Sequence, residues 1–198
     1  ISDSGNLAIT GAATFITTAN NRSIILDQPG SVFTSTVTMQ AGNGSAAFDN
    51  ITFVDSADVR LHSSAASAGD LYINAGTDLA VGGDLSITAT TGNITQGSEL
   101  AVGALSTFTT SASNGTITLN DADNTFTGAV ALNTNGSSGN ATIKNDRALL
   151  LAASSVGGAL IATATAGNIT QTGALDIEGT TTLVTLGAGA DIDLAANG

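Results

Sequence analysis

Internal repetition constrains this chain more than any other feature. Ile87–Gln96 reads ITATTGNITQ and Ile161–Gln171 reads IATATAGNITQ. The shared GNITQ lies at Gly92–Gln96 and again at Gly167–Gln171. The same offset carries Gly115–Leu119 (GTITL) onto Ala190–Leu194 (ADIDL), and Ala101-Val102 onto Asp176-Ile177. Repetition of this kind marks stacked units, none of which can bury its apolar face alone. The offset is long for one unit and divides into three. Strand-like segments begin near Leu7, Val32, Val59, Leu79, Leu100, Phe126, Leu149 and Leu175. Their spacing predicts roughly eight rungs of about 24 residues each.

Within a rung the period is that of a strand. In Thr116-Ile117-Thr118-Leu119 the Ile and Leu share one face and the threonines the other. The offset partner is Asp191-Ile192-Asp193-Leu194, where Ile and Leu persist and Thr becomes Asp. Two adjacent buried positions do not exchange hydroxyls for unpaired carboxylates. Thr116, Thr118, Asp191 and Asp193 are therefore expected to face water, and the Ile/Leu set to face inward. Gly-Gly, Asn-Gly, Ala-Gly and Asp-Asn pieces separate the strands, and Gly and Asn accept the positive φ that tight turns need. Aromatic residues are few, with six Phe, one Tyr and no Trp, so the core is built from Ala, Val, Ile and Leu and suits a narrow, repetitive interior. Very short strands, a three-part repeat and similar periods together predict an all-β fold, a right-handed parallel β-helix (β-solenoid).

The chain is read as one segment, 1–198, of a longer repeat protein, irregular over 1–78 and regular over 79–198. Its net charge of −12 gives no basic footprint for nucleic acid and disfavours anionic membranes. There is no cysteine, so no disulfide staples the rungs. No signal peptide is visible, and no apolar run reaches membrane-spanning length.

Gly167–Leu194 (GNITQTGALDIEGTTTLVTLGAGADIDL), Asn120–Leu132 (NDADNTFTGAVAL) and Val81–Gln96 (VGGDLSITATTGNITQ) resemble the repeats of filamentous-haemagglutinin-like large bacterial exoproteins of the two-partner-secretion type. The resemblance runs from about Leu79 to Gly198. It implies a secreted, cell-surface or extracellular filament protein, passed through an outer-membrane transporter during export. It further implies an adhesin, with a cell-surface glycan or protein as receptor and other copies or neighbouring repeats as end-to-end partners.

The candidate site residues each have a plain structural reading. His62 is the single histidine, and alternation in Val59-Arg60-Leu61-His62 places it with Arg60 on the solvent side. The pairs Asp55/Asp58, Asp121/Asp123, Asp176/Glu178 and Asp191/Asp193 have the residue types of a polysaccharide-cleaving site. They are scattered, however, and the chain has only Arg22, Arg60, Lys144 and Arg147 to offer beside them, so solvated turn or surface carboxylates are expected. Asp121, Asp123 and Asn124 form a weak calcium candidate. Thr-x-Thr pairs at Thr36/Thr38, Thr88/Thr90, Thr107/Thr109, Thr116/Thr118 and Thr163/Thr165 follow from β-propensity, although ranks of threonine on a flat face can also order water. Asn-x-Ser/Thr sequons stand at Asn21, Asn43, Asn50, Asn93, Asn114, Asn135, Asn140 and Asn168. No catalytic residue and no cofactor is expected. The alternatives to a structural and adhesive role are a polysaccharide-degrading β-helix enzyme and a calcium- or glycan-binding module.

Overall fold

The computed structural model describes residues 1–17, 22–33, 37–40, 51–56, 59–62, 70–73, 79–81, 83–97 and 99–194, with backbone alone at 38, 40, 59–62, 70–73 and 79–81. Every described regular element is a strand. Every strand pairing is parallel, and each joins segments about one turn apart, save one, so the chain is a parallel β-solenoid. From Leu85 the path repeats over three sheets. Leu85–Ala89 lies in a ten-stranded sheet, Ile94–Gln96 in a nine-stranded sheet and Leu100–Val102 in a three-stranded sheet. Ser106–Ser113, Ile117–Leu119 and Thr125–Phe126 then lie one level on in the same three.

Six successive pairings carry the first sheet from Ile51 through Leu85, Ser106, Val130, Leu151 and the Ile169–Gln171 strand to Ile192. Before them come the pairing of Ile24 with Ile51 and an isolated bridge between Ser2 and Ile25. From Leu85 onward the turns are of similar length, bounded by the short step from Leu149 to Ile169 and the longer one from Ser106 to Val130. Earlier turns are longer still, first from Ile24 to Ile51 and then from Ile51 to Leu85. The second of these holds an extra strand. Asp70–Ile73 lies between Val37–Gln40 and Val59–His62 in the nine-stranded sheet, so two successive segments occupy that face before the chain moves on.

The core is a set of ladders. Leu26, Phe53, Ile87, Phe108 and Leu132 stack in register, each 0% or 1% exposed. Ile94, Ile117, Ala141 and Leu160 do the same on the second sheet. Complete burial of an aliphatic or aromatic side chain contributes about 1.5–3 kcal/mol, so each turn adds its own increment. Phe33 and Phe53 pack with ring centroids 5.0 Å apart, and Phe108 meets Phe126 edge-on at 6.1 Å.

Ile117 and Leu119 face inward as the alternation predicts, with Thr116 and Thr118 half-exposed. Ile192 lies in register with the buried Ile169 and so keeps the inward side that the alternation predicts, but it is 45% exposed and Leu194 41%, because no described turn lies over them.

Candidate functional site

Four short polar side chains, three of them sequon asparagines named in the sequence and the fourth Asp84, stand at corners of the coil and connect one turn to the next. Asp84, Asn93, Asn140 and Asn168 each stand immediately before a strand. The Oδ1 atom of each accepts a backbone N–H from the equivalent corner one turn on: Leu105 at 3.0 Å, Thr116 at 2.8 Å, Ala159 at 2.8 Å and Asp191 at 2.9 Å. The carbonyl of that same upper residue accepts the first N–H of the lower strand. Leu85 donates to Leu105, Ile94 to Thr116, Ala141 to Ala159 and Ile169 to Asp191, all at 2.8–3.0 Å. The result is a two-bond clamp. A corner N–H has left the strand ladder and needs an acceptor, and a short carboxamide or carboxylate directly below supplies one.

This clamp accounts for GNITQ. Asn93 and Asn168 do the same work, yet Ile94–Gln96 lies in the nine-stranded sheet and Ile169–Gln171 in the ten-stranded one. The offset between the two phrases is thus three turns and one further face, not the three whole rungs that the division into three suggested. These four corners meet the same hydrogen-bonding problem although they belong to different sheets, so one short phrase serves at more than one of them.

Two amides point inward instead. Asn145 is wholly buried, and its Oδ1 accepts Phe126 N–H at 2.8 Å. Its Nδ2 donates to Phe126 O at 3.0 Å and Ala148 O at 2.8 Å. Asn124 is also wholly buried. Its Oδ1 accepts Leu100 N–H at 2.9 Å and the Gln96 amide, and its Nδ2 reaches Gln96 Oε1 at 3.0 Å and Lys144 O at 3.1 Å. The calcium candidate is therefore divided. Asp121 and Asp123 share an exposed turn, closed by Asp123 N–H on Asp121 Oδ1 at 3.0 Å, while the Asn124 carboxamide faces the opposite way and is committed to the chain. Strand parity (Ala141, Ile143, Asn145) could have revealed the inward Asn145; the reading of Asn as a turn residue concealed it.

Asp55 departs from the expectation of a solvated carboxylate. It is 2% exposed, and its Oδ1 accepts Phe33 N–H at 3.3 Å, because strand parity at the end of Ile51–Asp55 turns it into the interior above the preceding turn. Asp58 lies outside the described residues, as do Asn21, Asn43, Asn50 and Thr36. The strand Val59–His62 is placed, but the side chains of Arg60 and His62 are outside the description. Asp176, Glu178, Asp191 and Asp193 are exposed on the last described turn. Asp146 and Arg147 form a surface ion pair at 2.8 Å, and the hydrogen bond from Arg147 holds the Asp146 carboxyl below its ordinary pKa. Among the described residues no three His, Cys, Asp or Glu side chains gather where they could hold a metal ion.

The threonines form columns turned away from the core. Thr52, Ser86 and Thr107 stack on the first sheet beside Thr88, Thr109 and Asn133, and the buried Ala131 and Val54 complete the two columns. Thr95, Thr118, Thr142, Ile161 and Thr182 stack on the second.

Three stretches of the chain, 1–40, 49–133 and 138–198, match one family model, described as repeats of unknown function (DUF5649). The chain belongs to this DUF5649 repeat family. The matched stretches cover most of the coil, and the gap between the second and third, 134–137, spans the end of the Val130–Asn135 strand and the start of the turn after it. No curated protein and no solved structure matches the chain.

Proposed function

We propose that this DUF5649 chain is a non-catalytic, rod-like segment of an exported bacterial surface protein of the filamentous-haemagglutinin-like type, with a role in adhesion and reach. The observation that carries this reading is the use made of the corner side chains. Asp84, Asn93, Asn140 and Asn168 serve cohesion between turns, and the inward amides of Asn124 and Asn145 do likewise. A coil held in this way extends by adding turns. Exposed Leu186, Ile192 and Leu194 on the last described turn suit coverage by a further turn or another copy. The outward columns of Thr and Ser would form the surface presented to a glycan or protein receptor, and an outer-membrane transporter would deliver the chain.

The reading is tested by coating beads with the protein and measuring their retention on epithelial cells and on a glycan array under flow. Antibody labelling of intact bacteria carrying the parent protein tests the location. Retention above that of uncoated beads, together with surface labelling, supports the proposal. New reducing ends released from a panel of acidic and neutral polysaccharides would overturn its non-catalytic part.

A further inference from the structure

The fold contains two Asn-Gly steps in adjacent turns of one corner, Asn114–Gly115 and Asn135–Gly136, and it treats them differently. At the first step both reacting groups are held. Asn114 has a left-handed backbone (φ 63°), its Oδ1 accepts Ser138 N–H at 2.9 Å, and Gly115 N–H donates to Ala112 O at 3.1 Å. At the second step, among the described residues, the Asn135 side chain makes no hydrogen bond and Gly136 N–H donates none. Asn135 is exposed, at the end of Val130–Asn135, and Gly136 opens the turn that follows with φ 84°. Gly157 stacks over this position, and a Cβ there would lie 2.8 Å from Gly136 N; its absence leaves the amide uncrowded.

We propose that Asn135–Gly136 is a site of spontaneous deamidation and that the fold directs this chemistry to Asn135 and away from Asn114. Gly136 N, losing its proton to solvent base, attacks Asn135 Cγ. A C–N bond forms, the Cγ–Nδ2 bond breaks as the nitrogen takes a proton from solvent, and ammonia leaves, giving a succinimide. Water then opens the ring to aspartate or isoaspartate. No oxidant, metal or enzyme takes part. Each event adds one carboxylate to a chain of net charge −12. In the isoaspartyl product the chain runs through Cβ and Cγ and the former main-chain carbonyl becomes a free carboxylate; Asn135 O, the atom that accepts Asn114 N–H at 2.7 Å, thus leaves the backbone, which loosens the bond between these two turns.

The test uses the folded full chain, incubated in mildly alkaline buffer at body temperature and mapped by peptide mass spectrometry, with isoaspartyl methyltransferase labelling as a second readout. A parallel sample is incubated in guanidinium chloride. Cleavage before aspartate puts Asn114 and Asn135 in different peptides, 84–120 and 123–145, and leaves the remaining Asn-Gly steps, Asn43–Gly44 and Asn197–Gly198, in others. Asn135 should convert at least about fivefold faster than Asn114 in the folded protein, the factor implied by the two hydrogen bonds held at Asn114 and Gly115. In denaturant the two rates should converge. The variant Asn135→Gln should remove the early product, with unchanged circular dichroism. Equal rates in the folded protein, faster conversion at Asn114, or a stable Asn135 beside a converting denatured chain would each overturn the proposal.

Discussion

If the inward amides hold the turns together, removing one should cost far more than removing a corner clamp. Asn145→Ala deletes an acceptor and a double donor from a site with no exposure to water. Phe126 N–H loses its partner, and Phe126 O and Ala148 O each lose a donor. A buried group left unpaired costs about 1–3 kcal/mol. With one N–H orphaned outright and two carbonyls partly so, the loss should be about 3–5 kcal/mol. Asn168→Ala removes one exposed bond to Asp191 N–H, and water replaces it, so the loss should be about 0.5–1 kcal/mol. The aspartate series separates the two roles further. Asn168→Asp keeps the accepting oxygen and should be nearly neutral. Asn145→Asp buries a carboxylate and turns an oxygen toward two carbonyls, so it should be at least as costly as Asn145→Ala. Urea unfolding followed by circular dichroism measures all four. Because stacked repeats can unfold in parts, amide exchange at Phe126 and Leu149 should accompany it. An Asn145→Ala loss no greater than that of Asn168→Ala would refute the argument.

Other perturbations give distinct outcomes. Ser106 is wholly buried between Leu85 and Val130 in an inward ladder, and its hydroxyl has no partner, so Ser106→Ala should raise the unfolding free energy by up to about 1 kcal/mol, read as a higher urea midpoint; a loss would mean that an internal water serves the hydroxyl. Gly128 lies against the turn below, where a Cβ would collide with the Ala104 carbonyl, so Gly128→Ala should lower stability by about 2–3 kcal/mol in the same assay. Phe108→Ala should cost about 3–5 kcal/mol, whereas its outward neighbour Thr107→Lys should stay within about 0.5 kcal/mol. For Asp146 the folded carboxyl titrates below its unfolded value, so its pairing with Arg147 stabilises above about pH 4 and the benefit fades as pH falls through the folded pKa. Both side chains are partly exposed, so Asp146→Asn should lower the melting temperature only slightly at neutral pH, with no difference from the parent in strong acid.

The coil could be read from the sequence because its two commonest signals are local. Alternation in Thr116–Leu119 assigns sides, and Gly and Asn mark corners, and neither depends on which face of the coil a strand joins. The path around the coil is not local. The two GNITQ phrases are alike because corners of different sheets present the same unpaired N–H, and so their likeness cannot say how many faces separate them. The doubled occupancy of one face by Val59–His62 and Asp70–Ile73 likewise depends on pairing across the coil, and neither strand alone announces it.

The candidate residues illustrate the same boundary between local and stacked information. Asn124 and Asp123 are neighbours in sequence and share one composition cue, yet parity sends Asp123 to water and Asn124 to the interior. Once inside, an amide serves better than a carboxylate, because it can accept Leu100 N–H and donate to Lys144 O without carrying a charge. Asp55, also inward, keeps its carboxyl by accepting a backbone N–H from the preceding turn. In this solenoid the identity of a polar residue is therefore set by the backbone group one turn away. A change at one corner should be tolerated or rejected according to the N–H or C=O it faces across the rung, and not according to its neighbours in sequence.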